Sequence, residues 1–405
     1  MPRSPQMNLL LLALGAMFFQ QTFAALGRNL PPIIAPAILA DLQLDPAWIG
    51  VYVGLTAAAA LLAQLSCGSF IVRYGALRAS QAALVMLAVG LAAATVGPMA
   101  LFALSAIIGG GGSAISTPAS SHLLGRYSPP RYAPLVFSLK QTAVPAGLLL
   151  AGLLGPLLVG LWGWRAAMLA AAAACLAFAF VLQPTRREFD SDRVPSRSFH
   201  LSDLGATLAV VTKRRELRNL SFACFAFNGL QMVFVAYFVT YLVVLGHGLA
   251  VAGMVFSIAT LVAVPGRVFW GWFSSSFAAP RVVLAWLSIG MAASTAMIGL
   301  AGGLAGLILL GLAAVVLSAT VLSWHGVLLA EAARLAPEGM RGAATGGVLS
   351  FGQLGALTMP LFYAAVLSLS DSHALGFILC GLPCLVVGVV MLLRGGKPPA
   401  QQAPA

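Results

Sequence analysis

Arg28, Lys140, Arg267 and Glu331 each interrupt a run of apolar residues, as do His122 and His325. A central Arg, Lys or Asp in a membrane span costs roughly 2.5–3.5 kcal/mol on insertion scales, so each calls for a partner or a task. The balance is three cations, Arg28, Lys140 and Arg267, against one acid, Glu331. A cavity built from these groups lacks negative charge and suits an anion. Arg28 offers a planar fork to a carboxylate, or else snorkels to the interface. Gln21 lies seven residues earlier on the same helical face, and Asn29 adjoins Arg28. Lys140, followed by Gln141, either attracts an anion or snorkels in its turn. Asn228 and Gln231 share a face at i,i+3, and Gln20 and Gln21 hold the equivalent place early in the chain. These amides either line a cavity or hydrogen-bond between helices. Trp324-His325 pairs an aromatic ring with an imidazole, a proton site or a hydrogen-bonded structural residue. Glu331 is a candidate partner for Arg267, and equally for Arg334 three residues on.

The elements that hold these residues are apolar helices. Hydrophobic residues make up 60% of the 405 and charged ones 8%, against about 25% charged in a soluble domain. Lipid is therefore the solvent. Twelve runs, near 8–39, 48–71, 80–98, 100–124, 134–161, 166–183, 219–245, 250–274, 282–301, 304–331, 343–369 and 374–393, meet the need for roughly 20 apolar residues per span. They are long and rich in Leu and Ala, not the short alternating segments of a barrel. The net charge of +12 reads as topology, not as affinity for nucleic acid. Eighteen of the 22 Lys and Arg fall on one side if both termini are cytoplasmic, and the other side has Arg165 with Asp41, Asp45 and Asp371. That is the positive-inside bias, and it places the chain in the inner cell membrane. Residues 184–218, with Arg186-Arg187-Glu188 and Lys213-Arg214-Arg215, form a cytoplasmic linker. It divides residues 1–183 from 219–394, and 395–405 form a disordered tail. Residues 1–24 have the charge and apolarity of a signal peptide, but an internal repeat claims them for a span.

That repeat reads Gly68-Ser-Phe70 with Arg78 and, 203 residues on, Gly271-Trp-Phe273 with Arg281. Val136-Phe-Ser138-Leu-Lys140-Gln141 returns as Val348-Leu-Ser350-Phe-Gly352-Gln353, and Gln20-x2-Phe23 as Gln231-x2-Phe234. Three echoes in one order at nearly one offset indicate a duplicated half, the mark of a transporter with two pseudo-symmetric bundles. The repeat also aligns Arg267 with Gln64, and Lys140 with Gly352.

The segment Gly68-Ser-Phe-Ile-Val-Arg73-Tyr-Gly75-Ala-Leu-Arg78 resembles the signature between spans 2 and 3 of the major facilitator superfamily, with Val72 in place of the usual acid. In the second copy Ser275 takes the acid's place. Gly155-Pro156 and Trp164-Arg165 are similar to further elements of that family, whose helix 4 arginine is missing here. Ser138-Leu-Lys140-Gln141 and the region from Ala330-Glu331 to Gly346 resemble bacterial members linked to small organic acids. The resemblance implies an all-α membrane protein: twelve transmembrane helices in two pseudo-symmetric six-helix bundles around a mid-membrane cavity, with spans 1, 4, 7 and 10 facing it. It also implies that Gly68, Arg73, Arg78, Arg267, Gly271, Arg281 and Glu331 serve the gates.

No nucleophile elbow, phosphate loop or metal-ligand cluster occurs, so no enzyme, cofactor, metal or ATP drive is expected. Cys67, Cys175, Cys224, Cys380 and Cys384 all lie in apolar runs and read as packing. The reading is a monomeric secondary transporter for a small organic anion, a carboxylate in class. A proton is a candidate co-substrate through His325, Glu331 or the carboxylate itself. The alternative is a proton-driven drug antiporter, which wants an acid in the first six spans, and they hold none.

Overall fold

The computed structural model describes residues 5–129, 133–196, 209, 211–301, 306–337 and 341–393, and all regular structure among them is helical. The first half comprises α1 (Pro5–Ile33), α2 (Ala35–Leu42), α3 (Trp48–Tyr74), α4 (Ala76–Ala94), α5 (Met99–Tyr127), α6 (Ala133–Gln141) and α7 (Ala143–Val181). A short α8 (Arg186–Phe189) follows. The second half comprises α9 (Arg215–Val244), α10 (Leu249–Leu261), α11 (Ala263–Ser276), α12 (Pro280–Ala301), α13 (Leu307–Val321), α14 (His325–Leu335), α15 (Arg341–Ser370) and α16 (His373–Leu393). Ten stretches among the described residues are long and apolar enough to cross a membrane. One of them, Leu139–Phe189, is 51 residues long and crosses twice. Its α7 breaks at Gly163, whose φ of 81° suits glycine. Gly147 before the break and Cys175 and Phe178 after it all pack against Thr22–Leu26 of α1, so the chain has turned back on itself. With α3 these make the twelve spans of two six-helix bundles.

Several spans are broken, and each break frees backbone groups. Pro145 has no N–H for the Gln141 carbonyl, and α6 ends there. Pro265 does the same for Leu261, between α10 and α11. Residues 322–324 separate α13 from α14 without a proline. There the freed carbonyls of Ala319 and Leu322 take hydrogen bonds from Trp270 Nε1 at 3.0 Å and Arg267 Nε at 2.7 Å, both on α11. Side-chain donors thus hold the break open.

The bundles meet along two seams, α3 against α15 and α7 against α10. Away from the arginine-rich end both seams close on glycine. A Cβ on Gly50 would lie 2.5 Å from the Pro360 carbonyl and 2.6 Å from the Tyr237 hydroxyl, and one on Gly253 would strike the Gly152 carbonyl. At that same end Asp41 accepts hydrogen bonds from Trp164 Nε1 (3.0 Å) and Arg165 Nη1 (2.8 Å), riveting α2 to the α7 turn. Those bonds hold the Asp41 carboxyl below its usual range.

At the basic end Asp190 reaches back to the start of α4. Its carboxylate accepts from the backbone N–H of Leu77 (2.8 Å) and Arg78 (3.1 Å), and Val194 N–H donates to the Val72 carbonyl at 2.8 Å. The turn where Val72 replaces an acid therefore receives one from the linker, which caps the helix from outside. Burial raises the Asp190 carboxyl above its usual range, and the two amide hydrogen bonds partly offset this.

Candidate functional site

A cavity of about 160 Å3 lies between the bundles, on the seam axis and on the basic side of the glycine closures. It is lined from both halves: α1, α3, α5, α6 and α7 on one side, α9, α11, α14 and α15 on the other. Of the predicted binding residues, Gln21, Arg28, Asn29, Gln141, Asn228, Gln231, Trp324 and His325 all line it. Lys140 does not. It is fully buried behind the wall, with Nζ 3.4 Å from the Thr117 carbonyl and 3.4 Å from Ser121 Oγ. Neither Arg28 nor Lys140 snorkels away from the protein. Gln20 takes the interhelical role, donating to Ser80 O (3.2 Å) and Ser116 Oγ (3.0 Å), while its neighbour Gln21 turns to Thr117 Oγ1 at 2.6 Å beside the cavity.

Arg267 enters the cavity wall as well, beside its place in the helix breaks. Its Nη1 donates across the seam to the Gln141 carbonyl, the group that Pro145 leaves without a helical partner. One guanidinium thus joins the C-terminal ends of α6 and α13, where the helix dipoles favour positive charge. On the pseudo-symmetric seam Gln353 Nε2 donates to Gln64 Oε1 at 3.1 Å. The repeat had already aligned Arg267 with Gln64 and Gln141 with Gln353, so the two contacts are copies of one contact, one charged and one neutral. Gln353 and Thr117 are lining residues that the sequence reading did not select, and Gln64 entered it only as the asymmetric position opposite Arg267. The alignment was the signal for the two glutamines. Thr117 gave none.

The cavity's electrostatics are one-sided. Arg28, Lys140 and Arg267 have no carboxylate within ion-pair distance among the described residues. Glu331, a candidate partner for Arg267, instead forms a bidentate pair with Arg334 at 2.6 and 2.7 Å. His122 likewise leaves the interior and meets Asp192 at 2.8 Å on an exposed face. Trp324 and His325 stack at 3.7 Å, and Trp324 Nε1, His325 Nδ1 and Gln231 Oε1 are buried with no protein partner among the described residues. Buried polar groups are rarely left unpaired without a reason, and a ligand in the cavity would supply one.

The remaining residues assigned to gating lie towards the basic end. Arg73 sits 5.6 Å from the Tyr74 ring centre, Arg281 Nε donates to the Met391 carbonyl at 3.1 Å, and Arg78 contributes its backbone N–H to Asp190. A Cβ on Gly271 would meet nothing within 4 Å, so no close approach there demands glycine. The surroundings of Gly68 lie outside the described residues.

Two pseudo-symmetric helix bundles around a polar mid-membrane cavity define the fold of a multi-pass membrane carrier. Residues 17–332 match the model of the Major Facilitator Superfamily, and the chain belongs to that family. Solved structures agree. A bacterial homologue of the human lysosomal transporter Spinster, in an inward-facing and occupied conformation, is 14% identical with a TM-score of 0.76, over 97% of this chain and 98% of that one. The D-xylose-proton symporter is 16% identical with a TM-score of 0.71 over 95% and 96%. A peptide transporter POT in complex with sulfate is 16% identical with a TM-score of 0.76 over 95% and 94%. At such identities the likeness concerns the fold. No curated protein sequence matches the chain.

Proposed function

We propose that this protein is a secondary transporter that moves a small organic anion, a carboxylate in class, by alternating access. The observation that carries the reading is the cavity's charge. Arg28 and Arg267 line it, Lys140 stands behind it, and no acid balances them among the described residues. An anionic substrate would supply the missing charge and could accept from Arg28. The cavity volume of about 160 Å3 is below the roughly 300 Å3 at which drug-sized pockets begin. That favours a small acid over the drug-antiporter reading. The positive-inside bias supports an inner-membrane location with both termini cytoplasmic and residues 184–218 joining the bundles there. In that frame the basic end faces the cytoplasm. We assign Arg267 and the Gln64–Gln353 contact to the inner gate, and Gly50 and Gly253 to the outer one. A monomer suffices, since both halves of the cavity come from one chain.

The test is counterflow in proteoliposomes with labelled monocarboxylates, dicarboxylates, aromatic acids and a cationic drug, with Arg28→Ala in parallel. Exchange of at least one acid is expected, weakened about tenfold or more by Arg28→Ala, because a hydrogen bond to a charged group is worth about 1.5–3 kcal/mol. Exchange of the cation alone, untouched by Arg28→Ala, would refute the reading.

A further inference from the structure

We propose that Lys140 is the proton carrier of this transporter, and that it makes anion movement a symport without any acidic residue in the cavity. The inference rests on the organic-anion reading above. Lys140 is fully buried, yet among the described residues its Nζ has only a carbonyl and a hydroxyl, each at 3.4 Å, to receive its protons. An ammonium so placed is neither solvated nor paired, which is the costly arrangement for a buried charge. The groups facing it add no relief. From α11 the charged group is Arg267, a like charge. α5 presents Thr117 and Ser121, which do not titrate, and its His122 points away to Asp192. α1, which packs on α6, presents Gln21 and, further along the cavity wall, Arg28. His325 of α14 also faces Arg267. Every charged neighbour among the described residues is thus positive.

The consequence is linkage. In this scheme Lys140 gives up its proton when the cavity is empty. When a monocarboxylate enters between Arg28 and Arg267, its negative charge restores the amine's hold on a proton. The Nζ lone pair takes one H+ from water at the open end, and that proton leaves to water when the anion leaves at the other end. One anion and one proton cross, with no net charge and no change in any covalent bond of the substrate. By reciprocity, protonation of Lys140 tightens the anion by the same factor that the anion tightens the proton, typically about 5–150-fold. Lys140 does not touch the substrate. Thr117 and Gln141 stand between it and the cavity, so it acts as a positioning charge.

The experiment uses proteoliposomes with trapped pyranine, L-lactate and pyruvate as probes, and protein-free liposomes subtracted. The wild-type protein should exchange labelled lactate and, in net uptake into lactate-free vesicles, acidify the lumen by one proton per anion, at a rate indifferent to a valinomycin-imposed potential. Lys140→Gln and Lys140→Arg should both retain labelled exchange while lumen acidification falls at least tenfold, one lacking the charge and the other unable to lose it. In Lys140→Arg the lactate KM should no longer rise with pH. Exchange with undiminished acidification in Lys140→Gln, or a rate that follows the membrane potential, would overturn the Lys140 assignment alone. Absence of exchange for every acid tested, in the wild-type protein, would overturn the organic-anion reading and this proposal with it.

Discussion

Replacing Arg267 by Gln should open the basic end of the seam. Arg267 holds two carbonyls, that of Leu322 within its own bundle and that of Gln141 across the seam. Only the second resists separation of the bundles. A hydrogen bond to a charged group contributes about 1.5–3 kcal/mol, so its loss should shift the closed-to-open ratio by about 10–150-fold. The partner substitution, Pro145→Ala, supplies an N–H that the Gln141 carbonyl can take within its own helix. It removes the same latch while leaving the Leu322 bond in place. The readout is spin-label distance between α3 and α15 at the basic end, in a background with the cysteines replaced. Both single variants should raise the open population, and the double variant should add little to Arg267→Gln. That non-additivity is the signature of one shared contact. If Pro145→Ala leaves the distance distribution at wild type, or if the two effects simply add, the carbonyl at Gln141 is not the latch.

Gly253→Val should abolish exchange with little loss of folded protein, because its side chain would occupy the Gly152 carbonyl's place only when the outer seam is closed; size-exclusion profile and counterflow together check this. Asp190→Ala should lower thermal stability by about 0.5–2 kcal/mol, the usual cost of a lost helix cap, read as a shift in Tm, while Asp190→Asn should lose less. Asp41→Asn should be less stable than wild type by a constant margin from pH 5 to 8. The Asp41 carboxyl is held below its usual range by Trp164 and Arg165, so its contribution is complete above the unfolded value of about 3.9 and is lost as pH falls through the lower folded value. The two melting curves should therefore converge only at the acid extreme, and convergence on the alkaline side would contradict the assignment.

Much of this arrangement is written in residue type and order. Twelve apolar runs, the sidedness of the arginines and the duplicated Gly-x-Phe…Arg segment carry the fold, because lipid leaves a chain few ways to satisfy its backbone. The intramembrane charges carry the cavity, since Arg28 and Arg267 could not be where they are at no cost. What was not legible depends on contacts that no spacing encodes. Lys140 and Gln141 are neighbours that point about 100° apart on one helix, and it was packing that gave the cavity to Gln141 and the interior of the bundle to Lys140. Glu331 could reach Arg267 or Arg334 by pattern alone, and packing chose Arg334. Asp190 meets α4 from 112 residues away along the chain, at Arg78, so nothing local to Val72 announced that its missing acid had a substitute.

The two seam contacts show how duplication can be turned into direction. In one copy two glutamines meet, Gln353 on Gln64, and in the other an arginine meets a carbonyl freed by proline. Both contacts line the cavity, but a neutral amide pair attracts an arriving carboxylate less strongly than a guanidinium does. That carboxylate competes with the Gln141 carbonyl for the Arg267 N–H groups. Substrate binding therefore bears on one seam more than on the other. A symmetric carrier would feel its cargo equally on both sides of the axis. Here the asymmetry puts the response on α11 and the α6–α7 break, beside the lysine that faces Arg267.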